Sequence, residues 1–478
     1  MIYYDLYPHR PKSHVFKVVM RVEPSCAKSE TFFLPAWLPG SYMIRDFAKH
    51  IINIQGYLAH NPQVPVPIRK IKTHTFEVQP WEGTLILEYE VYAWDRSVRG
   101  AHFDLTHAFF NGSALFLCSN SFQDHSVQLV LHRPQETYQA KAWKVATSLK
   151  PLAIDAAGFG SYSAQNYEDL IDHPTEMGTF EEVAFTLQDV KHRIIITGLQ
   201  ESDLERLAYD VKKLCEQQVN LFQDLPFENY VFLLTALEES YGGLEHLSSS
   251  ALICQKRCLP SKNGFSLKDY RILLGLFSHE YFHAWMVKRI KPQEFYDLNL
   301  REIHHTDQLW AFEGFTAYYD DLMLFRAQCI TPFEYLEVLS ETMNRVYSTP
   351  GRFIQTLKES SFDAWIKFYQ PNENSINSTI NYYTKGTLAG LLFDLHIRKI
   401  SNNQYSLDDV MRKLWQDYGR NNIGVAPDAI EKILLEFGGP AMQDLIYLVL
   451  ETTQELPLAQ LLQDFGIALT YHYSEELK

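Results

Sequence analysis

The sequence predicts a multidomain α+β protein, with an N-terminal antiparallel β-rich domain over residues 1–185 followed by a mostly helical domain over residues 186–478. Three observations predict it. At 478 residues the chain exceeds what one hydrophobic core accommodates. Apolar residues in the first third recur with period two, the signature of strands. After Ile194-Ile195-Ile196 the recurrence lengthens to three- and four-residue steps, the signature of helices.

Along the chain, Phe16, Val18, Met20 and Val22 interleave with Val15, Lys17, Val19 and Arg21, and Leu85 to Val91 behaves similarly. Val127, Leu129 and Leu131 alternate with Gln128 and Val130 until Pro134 ends the run. Short strands punctuated by Pro and Gly point to a β-sandwich or curved sheet up to about residue 180. Helical spacing begins with Leu204, Leu207, Val211 and Leu214. Ser266 with Asp269, and Ser406 with Asp409, read as capping boxes, and Pro332 and Pro427 sit where first-turn prolines belong. The polar run Asn372 to Ser378 reads as a surface loop. No internal repeat or low-complexity tract is present.

Composition narrows the function. The chain is 46% hydrophobic and 21% charged, which is ordinary for a globular protein. A net charge of −15 argues against nucleic acid as a partner, because that would require a basic face. Met1 to Met20 has no apolar leader core, and no run of 18 apolar residues occurs, so neither a secretory signal nor a membrane span is expected. The six cysteines, at positions 26, 118, 215, 254, 258 and 329, fit reduced thiols in a cytoplasm better than a disulfide framework. Cys254 and Cys258 lack a second pair at metal-site spacing and read as core thiols.

The chemistry concentrates at His279-Glu280-Tyr281-Phe282-His283, an H-E-x-x-H in a helical segment that starts at Ser266 and runs to Val287. Residues four apart share a helix face, so both imidazoles can reach one metal ion. Glu280 is rotated about 100° from His279 and stands beside the ion, placed to take a proton from water. By itself the motif also fits two half-buried histidines flanking a surface glutamate. A third ligand would decide, and Glu313 offers one, opening a second helical segment from Phe315 to Phe325. Two imidazoles and a carboxylate leave a fourth zinc position open. Asp320, two turns further along, could orient a ligand histidine and reads equally as a solvated side chain.

With its flanks, the motif resembles the glycyl aminopeptidase family (peptidase family M61), gluzincins related to the M1 aminopeptidases and to thermolysin. The resemblance is carried by His279 to Trp285, Val287 to Pro292, Leu309-Trp310 and Glu313-Gly314-Phe315-Thr316, and by the run Pro35 to Phe47 in the N-terminal third. The 29 residues separating His283 from Glu313 are also like that family's spacing and more than in M1 enzymes. Met286 departs from the Asn usual there. Tyr241-Gly242-Gly243-Leu244-Glu245-His246 looks like the family's counterpart of the M1 G-x-M-E-N motif.

The resemblance implies a thermolysin-like catalytic domain binding one Zn2+ through His279, His283 and Glu313, with Glu280 as general base. It also implies that Glu245 holds the substrate's free α-amine, with Gly242 and Gly243 allowing close backbone approach. Without the family, Gly-Gly-Leu-Glu reads equally well as a turn entering a strand. Tyr383, in Tyr383-Thr384-Lys385-Gly386, matches the tyrosine whose hydroxyl stabilises the oxyanion, although the adjacent Tyr382 could be the donor instead. The Gly-Leu-Gly-Phe-type loop of the family's PDZ domain is absent, so none is expected in this chain. The implied activity is removal of small N-terminal residues, glycine or alanine, from peptides. Its alternatives are a thermolysin-type endopeptidase and a non-catalytic peptide-binding protein on a peptidase scaffold.

Overall fold

The computed structural model describes residues 1–23, 25–198 and 200–472. The chain forms two compact units, the first comprising Met1–Lys213, Pro226–Ala284 and Asn299–Ile303, the second Leu214–Leu225, Trp285–Leu298 and His304–Lys478.

In the first unit the period-two segments are strands. Val15–Val22 pairs antiparallel with Ile2–Arg10 on one side and Leu85–Tyr92 on the other. It buries Phe16, Val18, Met20 and Val22 completely, while Lys17, Val19 and Arg21 on the opposite face stay partly exposed. These strands lie in an eight-stranded sheet that is antiparallel except where Ile2–Arg10 runs parallel to Val127–Leu131. Two four-stranded antiparallel sheets complete the β-rich N-terminal part. One is ordered Lys144–Ala146, Thr175–Gly178, His107–Phe110, Ala101–Phe103; the other contains Glu30–Phe33 and Thr75–Val78.

A further sheet of five strands follows, ordered Glu181–Leu187, Val190–Thr197, Asn229–Leu237, Ser249–Gln255 and Gly242–Glu245. Its three middle strands are parallel. Asn229–Leu237 carries no period-two pattern, because Tyr230 to Leu234 are all buried and a strand covered on both faces shows no alternation. Gly242–Glu245 is the edge strand, antiparallel to Ser249–Gln255.

The H-E-x-x-H segment is the helix Leu267–Phe282, begun by Ser266, whose Oγ accepts a hydrogen bond from Asp269 N at 3.2 Å. It ends at Phe282 with His283 as C-cap, five residues before the expected Val287, and Val287 itself has a left-handed backbone with φ 81°. Tyr281 fixes its roll: the hydroxyl is 2.9 Å from His192 Nε2 on the parallel sheet. Burial pushes the His192 imidazole down to about 4, so it serves as a neutral partner.

The second unit is helical. Pro332 opens Pro332–Tyr347 behind a reciprocal Thr331–Glu334 capping box, and Ser406 with Asp409 caps Leu407–Leu414 as expected. Pro427 instead precedes the N-cap Asp428 of Ala429–Gly438. The polar run at 372–378 contains a single helical turn, Ser375–Ser378. No helix among the described residues is long and apolar enough to cross a membrane. All six cysteines are free, and Cys254 and Cys258 are buried.

Candidate active site

The first unit carries the histidine pair and two carboxylates. His279 and His283 project from the last turn of Leu267–Phe282 with their rings perpendicular and their Nε2 atoms 3.1 Å apart. Glu280 and His283 are buried, His279 partly so. Glu245, at the end of the edge strand, is 4% exposed, and its Oε1 has no hydrogen-bond partner among the described residues. Ligand atoms of Glu245, Glu280 and His283 lie within 4.8 Å of one another. Two carboxylates and an imidazole thus converge on one spot.

Glycines make this convergence possible. A Cβ on Gly243 would stand 2.0 Å from Glu280 Oε1, 2.3 Å from Cδ and 2.6 Å from Cγ, so the Glu280 side chain occupies the volume that any side chain there would fill. Gly242 is different: a Cβ there would meet only Arg99 Nη1, at 3.8 Å. The close approach seen at Gly243 is to Glu280 of this chain. Gly40, from the Pro35 to Phe47 run, serves Glu245 similarly. It has φ +84°, which favours glycine, and a Cβ there would stand 2.4 Å from Glu245 Oε1.

Two further residues hold the edge strand, and no local sequence signal marks either. Arg99 Nη2 donates to the Gly243 carbonyl at 3.1 Å. Asp172 accepts from Leu247 N at 2.7 Å, just past Glu245.

The second unit carries Glu313 and the tyrosines. Glu313 is 2% exposed and joins Leu309–Phe312 to Gly314–Arg326, as C-cap of one helix and N-cap of the next. Asp320 lies partly buried on the latter helix. Gly314 and Gly386 let this helix cross Tyr382–Ile400 at backbone contact: a Cβ on Gly314 would stand 2.6 Å from Gly386 Cα. The crossing sets Glu313 beside the turn bearing the tyrosines. Asn381 caps that turn, its Oδ1 accepting from Tyr383 N at 2.7 Å. Tyr382 is fully buried, stacked on Tyr383 and tilted against Phe368, whereas Tyr383 is partly exposed. One turn on, burial pushes the Lys385 ammonium down to about 8, with Glu455 offsetting part of the effect.

Comparison with known proteins agrees with this architecture. Residues 3–179 match the peptidase M61 N-terminal domain, and residues 272–389 match M61 glycyl aminopeptidase. A comparison with curated proteins returned no match. Among solved structures, the chain is similar to an aminopeptidase N family protein from Idiomarina loihiensis. The two are 37% identical with a TM-score of 0.95, over 98% of this chain and 79% of that one. It is also similar to an M1 zinc metallopeptidase from Deinococcus radiodurans, at 14% identity and a TM-score of 0.55 over 95% of each chain. A mutant of the Deinococcus radiodurans M1 zinc metallopeptidase bound to a Tyr-Ser-Ala substrate matches at 13% identity and 0.55. At such identity the Deinococcus likeness establishes the fold alone, a β-rich part followed by a helical one. On the family matches and the 37% identical relative, the chain belongs to the M61 glycyl aminopeptidase family and is a peptidase.

Proposed function

We propose that the chain is a zinc-dependent aminopeptidase that removes one small residue, glycine or alanine, from the free N-terminus of a peptide. The observation that carries the exopeptidase reading is the closeness of Glu245 to Glu280 and His283, within 4.8 Å. The α-nitrogen and carbonyl carbon of an N-terminal residue are only about 2.5 Å apart, and each added residue lengthens the span by about 3.5 Å. An anchor this near the base fits removal of one residue and is too near for two. The buried, unpartnered Oε1 of Glu245 suits an ammonium group, which would satisfy it with a charge-assisted hydrogen bond. The preference for small residues rests on the family alone.

The zinc is assigned to His279, His283 and Glu313 on the sequence motif and the family resemblance, since two imidazoles with a carboxylate suit catalytic zinc. Two ligands about 2.05 Å from a tetrahedral ion stand about 3.3 Å apart, so the 3.1 Å between the Nε2 atoms needs little change to admit one. When bound, zinc would polarise the scissile carbonyl and lower the pKa of water at the site. Glu280 takes the proton of the attacking water and delivers it to the departing amine. Tyr383, the more exposed of the two tyrosines, donates its O–H to the oxygen that becomes anionic.

The test compares free and N-acetylated Gly- or Ala-peptides, alongside elemental analysis of protein purified without chelator. Cleavage of the free peptide only, with bound zinc, is expected. Equal cleavage of both peptides would replace this reading with an endopeptidase.

A further inference from the structure

A second group of metal-ligand side chains lies in the β-rich part of the first unit. In the sheet holding Ala101–Phe103, His107–Phe110 and Thr175–Gly178, Phe109 pairs with His102 on one side and Glu176 on the other. Paired residues project to the same face, and so do residues two apart, which places His102, His107 and Glu176 on one face. Asp104 joins them from the turn between the first two strands. Its Oδ1 accepts from Thr106 N and Oγ1 and from His107 N, at 2.7, 2.6 and 3.1 Å, leaving Oδ2 directed at His102 Nε2, 3.1 Å away. Ligand atoms of His102, Asp104 and His107 all lie within 4.8 Å of one another.

Two histidine–carboxylate pairs could simply satisfy each other, but the pairing here is incomplete. His102 and Glu176 are each 1% exposed, yet His102 Nδ1 and Glu176 Oε2 have no hydrogen-bond partner among the described residues. His107 Nδ1 is 3.0 Å from Glu176 Oε1, which fixes the tautomer and turns Nε2 outward as a lone-pair donor. That is the relation a metal-bound histidine has with the carboxylate behind it. Gly178, opposite His107, leaves the imidazole room: a Cβ there would come within 3.0 Å of His107 Cβ. Trp94 covers His102 with ring centroids 4.9 Å apart, giving the group an apolar wall.

We propose that His102, Asp104 and His107 form a second, structural site for a divalent transition-metal ion, with Glu176 orienting His107. Two imidazoles and one carboxylate suit zinc, which serves as the probe. The ion would clamp the Ala101–Phe103 and His107–Phe110 hairpin.

The test strips the full chain with chelator, reloads it with zinc, desalts it and counts bound metal by elemental analysis. Two equivalents are expected, falling to one in His107→Gln and in Asp104→Asn, with cleavage of a free peptide retained. His279→Ala should lose the other equivalent. Wild-type protein holding a single equivalent that His279→Ala abolishes would overturn this site and leave the proposed active site intact. A single equivalent abolished by His107→Gln would uphold this site and sink the other. Two equivalents untouched by His107→Gln, Asp104→Asn and His102→Gln would also overturn the assignment. Should these variants fail to fold, the count in His279→Ala decides: one retained equivalent upholds the site and none overturns it.

Discussion

Gly243→Ala tests the site at its tightest point. The added Cβ would fall 2.0 Å from Glu280 Oε1, where ordinary contact begins at 3.4 Å, so the carboxylate must retreat by about 1.4 Å. Gly243 is not among the residues with positive φ, so alanine brings no backbone strain. The clashing atoms are the end of a flexible side chain, which can move without unfolding the strand, so thermal stability should change little. Catalysis should not escape. Misplacing a reacting group by about 1 Å costs roughly 10²-fold, and loss of a general base altogether costs about 10²–10⁴-fold. The expected fall in kcat/KM is therefore about 10²-fold or more, roughly 2.7 kcal/mol in the barrier, carried by kcat. Bound zinc, measured by elemental analysis, should be unchanged. Gly242→Ala is the internal control, since its Cβ meets only Arg99 Nη1 at an ordinary 3.8 Å and should leave activity near wild type. A Gly243→Ala enzyme within about threefold of wild-type kcat would refute the reasoning, because Glu280 would then not need its present position.

Other expectations follow from the same geometry. Glu280→Gln should keep fold and metal content but lose about 10²–10⁴-fold in kcat, as steady-state kinetics and elemental analysis would report. Glu245→Gln should weaken cleavage of free-amine peptides by the roughly 2–5 kcal/mol of a broken buried charge pair, while leaving any cleavage of an acetylated peptide no worse than wild type. Tyr383→Phe should reduce kcat by about 10²–10³-fold with little change in KM; loss on Tyr382→Phe instead would move the oxyanion donor by one residue. Lys385→Met concerns stability. The ammonium falls from 10.5 to about 8 on burial, so the folded state binds fewer protons than the unfolded chain between those values. Stability should then rise with pH across that window, with the full burden of charging Lys385 present below pH 8. The shift sets a ceiling of about 3 kcal/mol. Denaturant unfolding of Lys385→Met at pH 7 should give a gain of about 1–3 kcal/mol and a flatter slope from pH 8 to 10.5. A less stable variant that keeps the wild-type slope would contradict this.

The sequence by itself determined what depends on neighbours along the chain. Alternation located Val15–Val22 and Leu85–Tyr92, because one face of each strand is buried and the other is not. The spacing of His279 and His283 put two imidazoles on one helix face, and side-chain caps at Ser266 and Ser406 began helices, all through contacts spanning four residues or fewer. The parallel strands were not legible, since burial on both faces erases the alternation that identifies a strand. Tertiary structure alone decided what fills the space at each glycine. Gly243 is required by Glu280, 37 residues later, and Gly40, in a turn, by Glu245 on the edge strand Gly242–Glu245. Arg99 reaches the Gly243 carbonyl across 144 residues. Such contacts are set by how sheets and helices pack, and local sequence carries no trace of them because the partners become neighbours only once the chain has folded.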